Sequence, residues 1–182
     1  MAVRIPPVNF DDATPQQREA LEKVKAALGK VPGLYATFGQ APNVLTALLG
    51  FQGALANGGL TARDLDLIDL HVSQLNGCGY CVSAHTVLGN AHGLTAEQIL
   101  RIRDGQGETK RDSAVLALAR RVAKGGGLGA ATEIAQAREV GLTDPAIVEV
   151  IAAVGMRALV NAVALASAAE IDWPKPTRIP ES

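Results

Sequence analysis

"LTARDLDLIDLHVSQLNGCGYCVSAHT", residues 60–86, reads as one helix, a sharp turn and the start of a second helix. Thr61 stands before the first apolar repeat with Asp64 three residues on, a pattern that caps a helix start. Leu65, Ile68, Val72 and Leu75 then recur at helical spacing and make one apolar face. Asp66, Asp69 and Ser73 fall together on another face. Asn76-Gly77 stops this helix. The cysteine stretch opens the next one, expected to run to about Ala91. Nothing in the segment alternates with the period of two that a half-buried strand requires.

The same helical grammar extends in both directions. Upstream, Thr14, Pro15 and Gln17 form a capped start with Leu21, Val24 and Leu28 as its stripe, and Gly29 and Pro32 end it. "PGLYATFGQ" gives a short helical turn, and "PNVLTALLGFQGALAN" a longer helix stopped at Gly58-Gly59. Downstream, Thr95 and Gln98 repeat the capping pattern. Residues 110–124, 130–140 and 143–169 read as further helices, the last with a break expected near Gly155. Residues 1–13 and 171–182, both containing prolines, read as extended ends. "KGGGLGA", residues 124–130, resembles a phosphate loop only in composition. Such a loop follows a strand, and here a helix precedes it. The expectation is an all-α helical bundle with no significant sheet, a single domain over 1–182.

Composition narrows the function. Of 182 residues, 48% are hydrophobic, 19% are charged and the net charge is −1, so there is no basic footprint for nucleic acid. "MAVRIPPVNFDD" contains no apolar core of a secretory signal, which gives a cytoplasmic location by default. Ile147 to Ala169 is nearly all apolar, but it contains Glu149, Arg157 and Asn161. Charged groups are costly inside a bilayer, so a buried or interfacial helix is expected rather than a membrane span. Its many alanines permit close helix contact, which points to a homo-oligomer held partly by the C-terminal third. His71 reads as a satisfied core histidine, His92 as a cap at a helix end, and Trp173 as an anchor on a helix or a neighbouring subunit.

The chain has two cysteines and three histidines. Cys78, Cys81 and His85 lie at i, i+3 and i+7, so a helix projects them from one face. The thiols stand at its start, where unpaired N–H groups and the positive end of the dipole favour a thiolate. Gly77 and Gly79 leave the backbone bare around Cys78. This arrangement suits dithiol chemistry, in which one thiolate is oxidised and the other closes a disulfide, with His85 handling the proton. Two other readings stay open on these residues alone. One is a zinc site on Cys78, Cys81 and His85, for which Asp66 or Asp69 is the only nearby fourth ligand. The other is a pair of cysteines that merely pack in a core.

The segment from Leu60 to Ile99, with Asn-Gly-Cys-x-x-Cys-x-x-x-His at its centre, resembles the AhpD-like alkylhydroperoxidases of the carboxymuconolactone decarboxylase superfamily. The likeness extends more loosely from about 43 to 121. The resemblance implies an AhpD-like helical bundle and a peroxidase. Cys81 would be the thiol that reacts with hydroperoxide, Cys78 its partner and the contact for an external thiol reductant, and His85 the motif histidine. No cofactor and no metal are implied, and the assembly would be a homo-trimer or homo-hexamer. The family's relay glutamate, twelve residues before the first cysteine, falls on Asp66, one methylene shorter. The residue between the cysteines, histidine in the best-studied branch, is Tyr80, which leaves the reductant open. The superfamily also holds lactone decarboxylases without redox cysteines. That activity, a non-peroxidase disulfide reductase and a zinc-binding structural module are the alternatives.

Overall fold

The computed structural model describes residues 3–177 and 179; residues 1, 2, 178 and 180–182, the outer parts of the two expected extended ends, lie outside it. Among the described residues there are nine helices and no strand, so the protein is all-α. The helices are α1 (Pro15–Leu28), α2 (Gly33–Phe38), α3 (Pro42–Ala56), α4 (Ala62–Leu75), α5 (Gly79–Ala91), α6 (Ala96–Arg103), α7 (Lys110–Gly125), α8 (Ala131–Glu139) and α9 (Asp144–Ser167).

Local sequence sets the helix starts. Thr14, Thr61 and Thr95 each accept a hydrogen bond from the backbone N–H three residues on, and the side-chain oxygens of Gln17, Asp64 and Gln98 accept one in return from the cap residue's own N–H. These bonds satisfy N–H groups that a helix start leaves unpaired. Thr109 and Thr143 cap α7 and α9 in the same way, without the returning bond.

α4 lies at the centre and packs against α5, α6, α7 and α9. Its burial departs from the single apolar face read from the sequence. Leu67, Ile68, Leu70, His71, Val72 and Ser73 are all buried, while Leu65 and Leu75 are only half-buried. A helix surrounded by others has no solvent face to keep polar, so its polar side chains must find partners inside. Asp64 accepts from Arg111, and Arg63 donates to Asp112. His71 sits against the Arg103 carbonyl at 3.1 Å on Nδ1 and receives Arg120 Nε at 3.3 Å on Nε2. That is a satisfied core histidine held uncharged, its pKa lowered by burial.

Two further expectations are corrected. Leu28 is exposed, and Ala20, Leu21 and Val24 carry the buried side of α1. α9 runs unbroken through Gly155, which has open space where a side chain would stand; a glycine with intact i to i−4 hydrogen bonds need not interrupt a packed helix. α9 is long and apolar enough to cross a membrane by length and composition, yet half of its most apolar stretch is buried in the fold. Its polar residues are tied to other elements: Glu149 accepts from the Gly59 and Leu60 amides, and Arg157 and Asn161 reach α4. The chain leaves α9 through Ala168, at φ 52° the only non-glycine residue with positive φ among those described, and turns back towards α5.

Candidate functional site

The turn between α4 and α5 fixes the cysteines. Gly77 takes φ +66°, a conformation glycine adopts without steric cost. The Cys78 amide donates to the Ser73 carbonyl at 3.0 Å. Cys78 thereby becomes the N-cap of α5, its sulfur accepting from the Cys81 amide at 3.3 Å. One turn on, the Cys81 sulfur lies 2.6 Å from that of Cys78. Both cysteines are free and nearly sealed, at 1% and 2% exposure.

Two side chains from α9 complete the setting. Asn161 is buried, its carbonyl oxygen accepting from Asn76 Nδ2 at 2.9 Å and its amide donating to Ser73 Oγ at 3.3 Å. With the carbonyl committed to Asn76, the amide hydrogens face α4, and they favour the thiolate form of either cysteine. Arg157 is also buried. Its Nε and a terminal nitrogen both meet Asp69 Oδ1, at 2.7 and 2.6 Å. The other oxygen of Asp69 lies 3.4 Å from His85 Nδ1. One carboxylate thus stands between a fixed cation and the motif histidine.

The electrostatics follow from this packing. The contact with Cys81 draws the Cys78 thiol below its ordinary range, aided by the Cys81 amide, Arg157 and Asn161. The same contact pushes Cys81 up, and burial adds to it. Two thiols in contact cannot both ionise readily, and the helix N-terminus decides that Cys78 takes the first charge. Burial lowers His85 to about 4, with Arg157 acting in the same direction, so its imidazole is uncharged at neutral pH.

Cys81 and His85, not Cys78, line a cavity of about 410 Å³. Asp69 and Arg157 form part of its wall. Both tyrosines and the single tryptophan of the chain, Tyr35, Tyr80 and Trp173, line it too. The structure therefore brings together three of the four residues expected at the site. Asp66 is elsewhere: His92 Nδ1 lies 2.8 Å from its Oδ2, and burial raises its pKa. α4 and α5 run antiparallel, so a residue earlier on α4 meets a later one on α5. Asp66 meets His92 and Asp69 meets His85. Among the described residues no three His, Cys, Asp or Glu side chains converge as a metal set.

Sequence reasoning named Asp69 only as an alternative zinc ligand and did not place Arg157 or Asn161 beside the cysteines. A signal existed: an arginine and an asparagine in a long apolar helix require buried polar partners, and Asp69 and Ser73 shared a face of α4.

A fold of nine helices among the described residues, with a buried dithiol at a helix N-terminus, defines an all-α thiol protein, and comparison with known proteins shows what it resembles. The model of the carboxymuconolactone decarboxylase family matches residues 42–125. The alkyl hydroperoxide reductase AhpD of Maricaulis maris (strain MCS10) is 44% identical over 45 residues, 25% of this chain and 26% of that protein. The match thus spans about a quarter of the curated relative's length. Over the whole chain, the alkylhydroperoxidase AhpD core of an uncharacterized peroxidase-related protein from Ralstonia eutropha JMP134 superimposes with a TM-score of 0.82 at 23% identity, covering 93% of this chain and 92% of that one. A variant of the debrominase Bmp8 in complex with 2,3,4-tribromopyrrole gives 0.77 at 18% identity, covering 94% and 93%. At these identities the likeness is one of fold. The chain thus has the fold of the AhpD proteins, and over residues 42–125, a little under half of its length, it resembles the carboxymuconolactone decarboxylase family.

Proposed function

We propose that the protein is a dithiol peroxidase that reduces organic hydroperoxides. The observation that carries this reading is the Cys78–Cys81 pair at the N-terminus of α5, with Cys81 and His85 facing one largely apolar cavity. In the ionised pair the charge lies on Cys78, whose thiol is drawn below its ordinary range, and the remaining proton on Cys81. The uncharged imidazole of His85 takes that proton as Cys81 attacks, and Asp69 holds the cation formed. The Cys81 sulfur attacks the terminal oxygen of the hydroperoxide, the O–O bond breaks, and the alkoxide leaves with the proton from His85 as an alcohol. Cys81 is now a sulfenic acid. The Cys78 thiolate attacks its sulfur, the S–O bond breaks, and hydroxide leaves and takes a proton from solvent as water. One dithiol and one hydroperoxide give one disulfide, one alcohol and one water. An external dithiol restores the pair. The relay carboxylate in this scheme is Asp69, not Asp66. A cytoplasmic setting, which keeps thiols reduced, suits the cycle.

The test is a titration of the fully reduced protein with cumene hydroperoxide. One equivalent should be consumed per chain, and the peptide bearing Cys78 and Cys81 should lose two hydrogens. No consumption, or equal consumption by a protein lacking both cysteines, overturns the reading.

We further propose a homo-oligomer, a trimer or hexamer as the resemblance implies. Phe51 on α3 and Val148, Ile151, Leu159 and Leu165 on α9 are exposed, and apolar side chains left in water on neighbouring helices mark an interface. Sedimentation at micromolar concentration should show a species several times 18.8 kDa; a stable monomer overturns this proposal.

A further inference from the structure

The segment that follows α9 lies across the cysteine helix. Ile171 packs near Gly79, its Cδ1 3.9 Å from where a β-carbon would stand. Asp172 Oδ2 accepts from the Tyr80 hydroxyl at 2.5 Å and from the Gly33 amide at 2.9 Å. Trp173 meets the Tyr80 ring edge-on at 5.3 Å, with Lys30 5.2 Å from its own ring. The Pro174 carbonyl accepts from Ser83 Oγ at 2.5 Å. Four successive residues of the tail thus hold Gly79, Tyr80 and Ser83, which flank the cysteines on α5. The Tyr80 hydroxyl also accepts from the Leu34 amide at 3.1 Å, so the residue between the cysteines ties the tail to α2.

This contact bears on how the dithiol is reached. The sulfurs are buried, and on the α4 and α9 side Asn161 is bonded to Ser73 and Arg157 to Asp69. The cavity admits a small molecule to Cys81, and its wall includes Trp173 from the tail. A macromolecular reductant must bring its own sulfur to Cys78, which is sealed and does not line the cavity. Thiol–disulfide exchange passes through a mixed disulfide, so direct access to the attacked sulfur is required.

We propose that Ile171–Pro174 form a strap, turning out of α9 at Ala168 and latched by Asp172 on Tyr80 and Gly33, that admits small oxidants through the cavity but must release before a macromolecular thiol reaches Cys78. The strap discriminates by size. It rests on the dithiol-peroxidase reading only in supposing that the dithiol is turned over, and its test needs no peroxide.

Reduced full-length protein is labelled with iodoacetamide and, separately, with a maleimide carrying a 5 kDa polyethylene glycol chain. Rates at Cys78 and Cys81 are read by mass spectrometry. Asp172→Ala should raise labelling of Cys78 by the bulky reagent about tenfold or more and labelling of Cys81, which the cavity already opens to small molecules, by iodoacetamide by no more than about twofold, because opening one latch of net strength near 1.4 kcal/mol shifts a closed–open equilibrium about tenfold. Asp172→Asn, which keeps one acceptor oxygen, should fall between Ala and the parent protein. Unchanged bulky labelling in Asp172→Ala, or an equal rise for both reagents, overturns the strap, the latter because it reports general loosening. A protein that shows size-selective labelling but consumes no hydroperoxide keeps the strap and loses the peroxidase reading.

Discussion

Cys81→Ser is expected to lower hydroperoxide consumption by roughly three orders of magnitude or more, the scale on which removal of an enzyme's nucleophile acts. The serine hydroxyl ionises far above the range of a thiol and does not attack peroxide oxygen at neutral pH. Cys78→Ser has a different signature. Cys81 still faces the cavity with His85 beside it, so one equivalent of peroxide is consumed and the reaction stops at the sulfenic acid. Dimedone should label Cys81 in that variant, and Cys78 should remain unlabelled in Cys81→Ser. The converse pattern, labelling at Cys78 and none at Cys81, reverses the two roles. The comparison separates access from acidity, because acidity alone favours Cys78, whose thiol is drawn down while that of Cys81 is pushed up. The assignment to Cys81 rests on access to the cavity, not on acidity.

Arg157→Leu should destabilise the fold by about 3–5 kcal/mol, the range for a buried pair that loses one partner. Leucine fills much of the stem's volume, but the Asp69 carboxylate loses both donors on Oδ1. Chemical denaturation at pH 7 measures the loss. Adding Asp69→Leu should recover most of it, since the isolated charge is then gone; failure to recover would show that the guanidinium acts through packing instead. The double variant should nevertheless be slow with hydroperoxide, because His85 has lost its carboxylate. Asp69→Asn should slow the reaction at least about tenfold, within the range for groups that assist proton transfer. Asp66→Asn should stay within about twofold, as its partner is His92. Equal losses in the two asparagine variants would return Asp66 to the mechanism.

Much of this architecture is legible in the sequence because it is local. The three Thr-x-x-Gln or Thr-x-x-Asp caps depend only on residues within one turn, and each helix start follows. The alignment of Cys78, Cys81 and His85 on one face likewise needs only the helical period. The choice between Asp66 and Asp69 is not local. Both sit on the same side of α4, three residues apart, and the antiparallel docking of α5 decides which meets His85. Counting twelve residues back from Cys78 gives the residue opposite His92. Arg157 and Asn161 lie some eighty residues beyond the motif, and only the packing of α9 on α4 brings them to it. The unbroken path of α9 through Gly155 has the same origin: tertiary contacts outweigh the local penalty of one glycine.

On the proposed peroxidase reading, the closeness of the two sulfurs also governs how the pair survives its oxidant. A sulfenic acid that waits is exposed to a second peroxide and passes to the sulfinic state, which most thiol proteins cannot reverse. Here the neighbouring thiol stands one helical turn away, already in contact and already inclined to carry the negative charge. Closure of the disulfide is a first-order event within one turn of α5, while further oxidation must wait for another molecule to enter the cavity. Damage therefore rises with oxidant concentration and resolution does not, so the pair is protected at low peroxide and overrun only at high. The chain that loses Cys78 gives up this protection first.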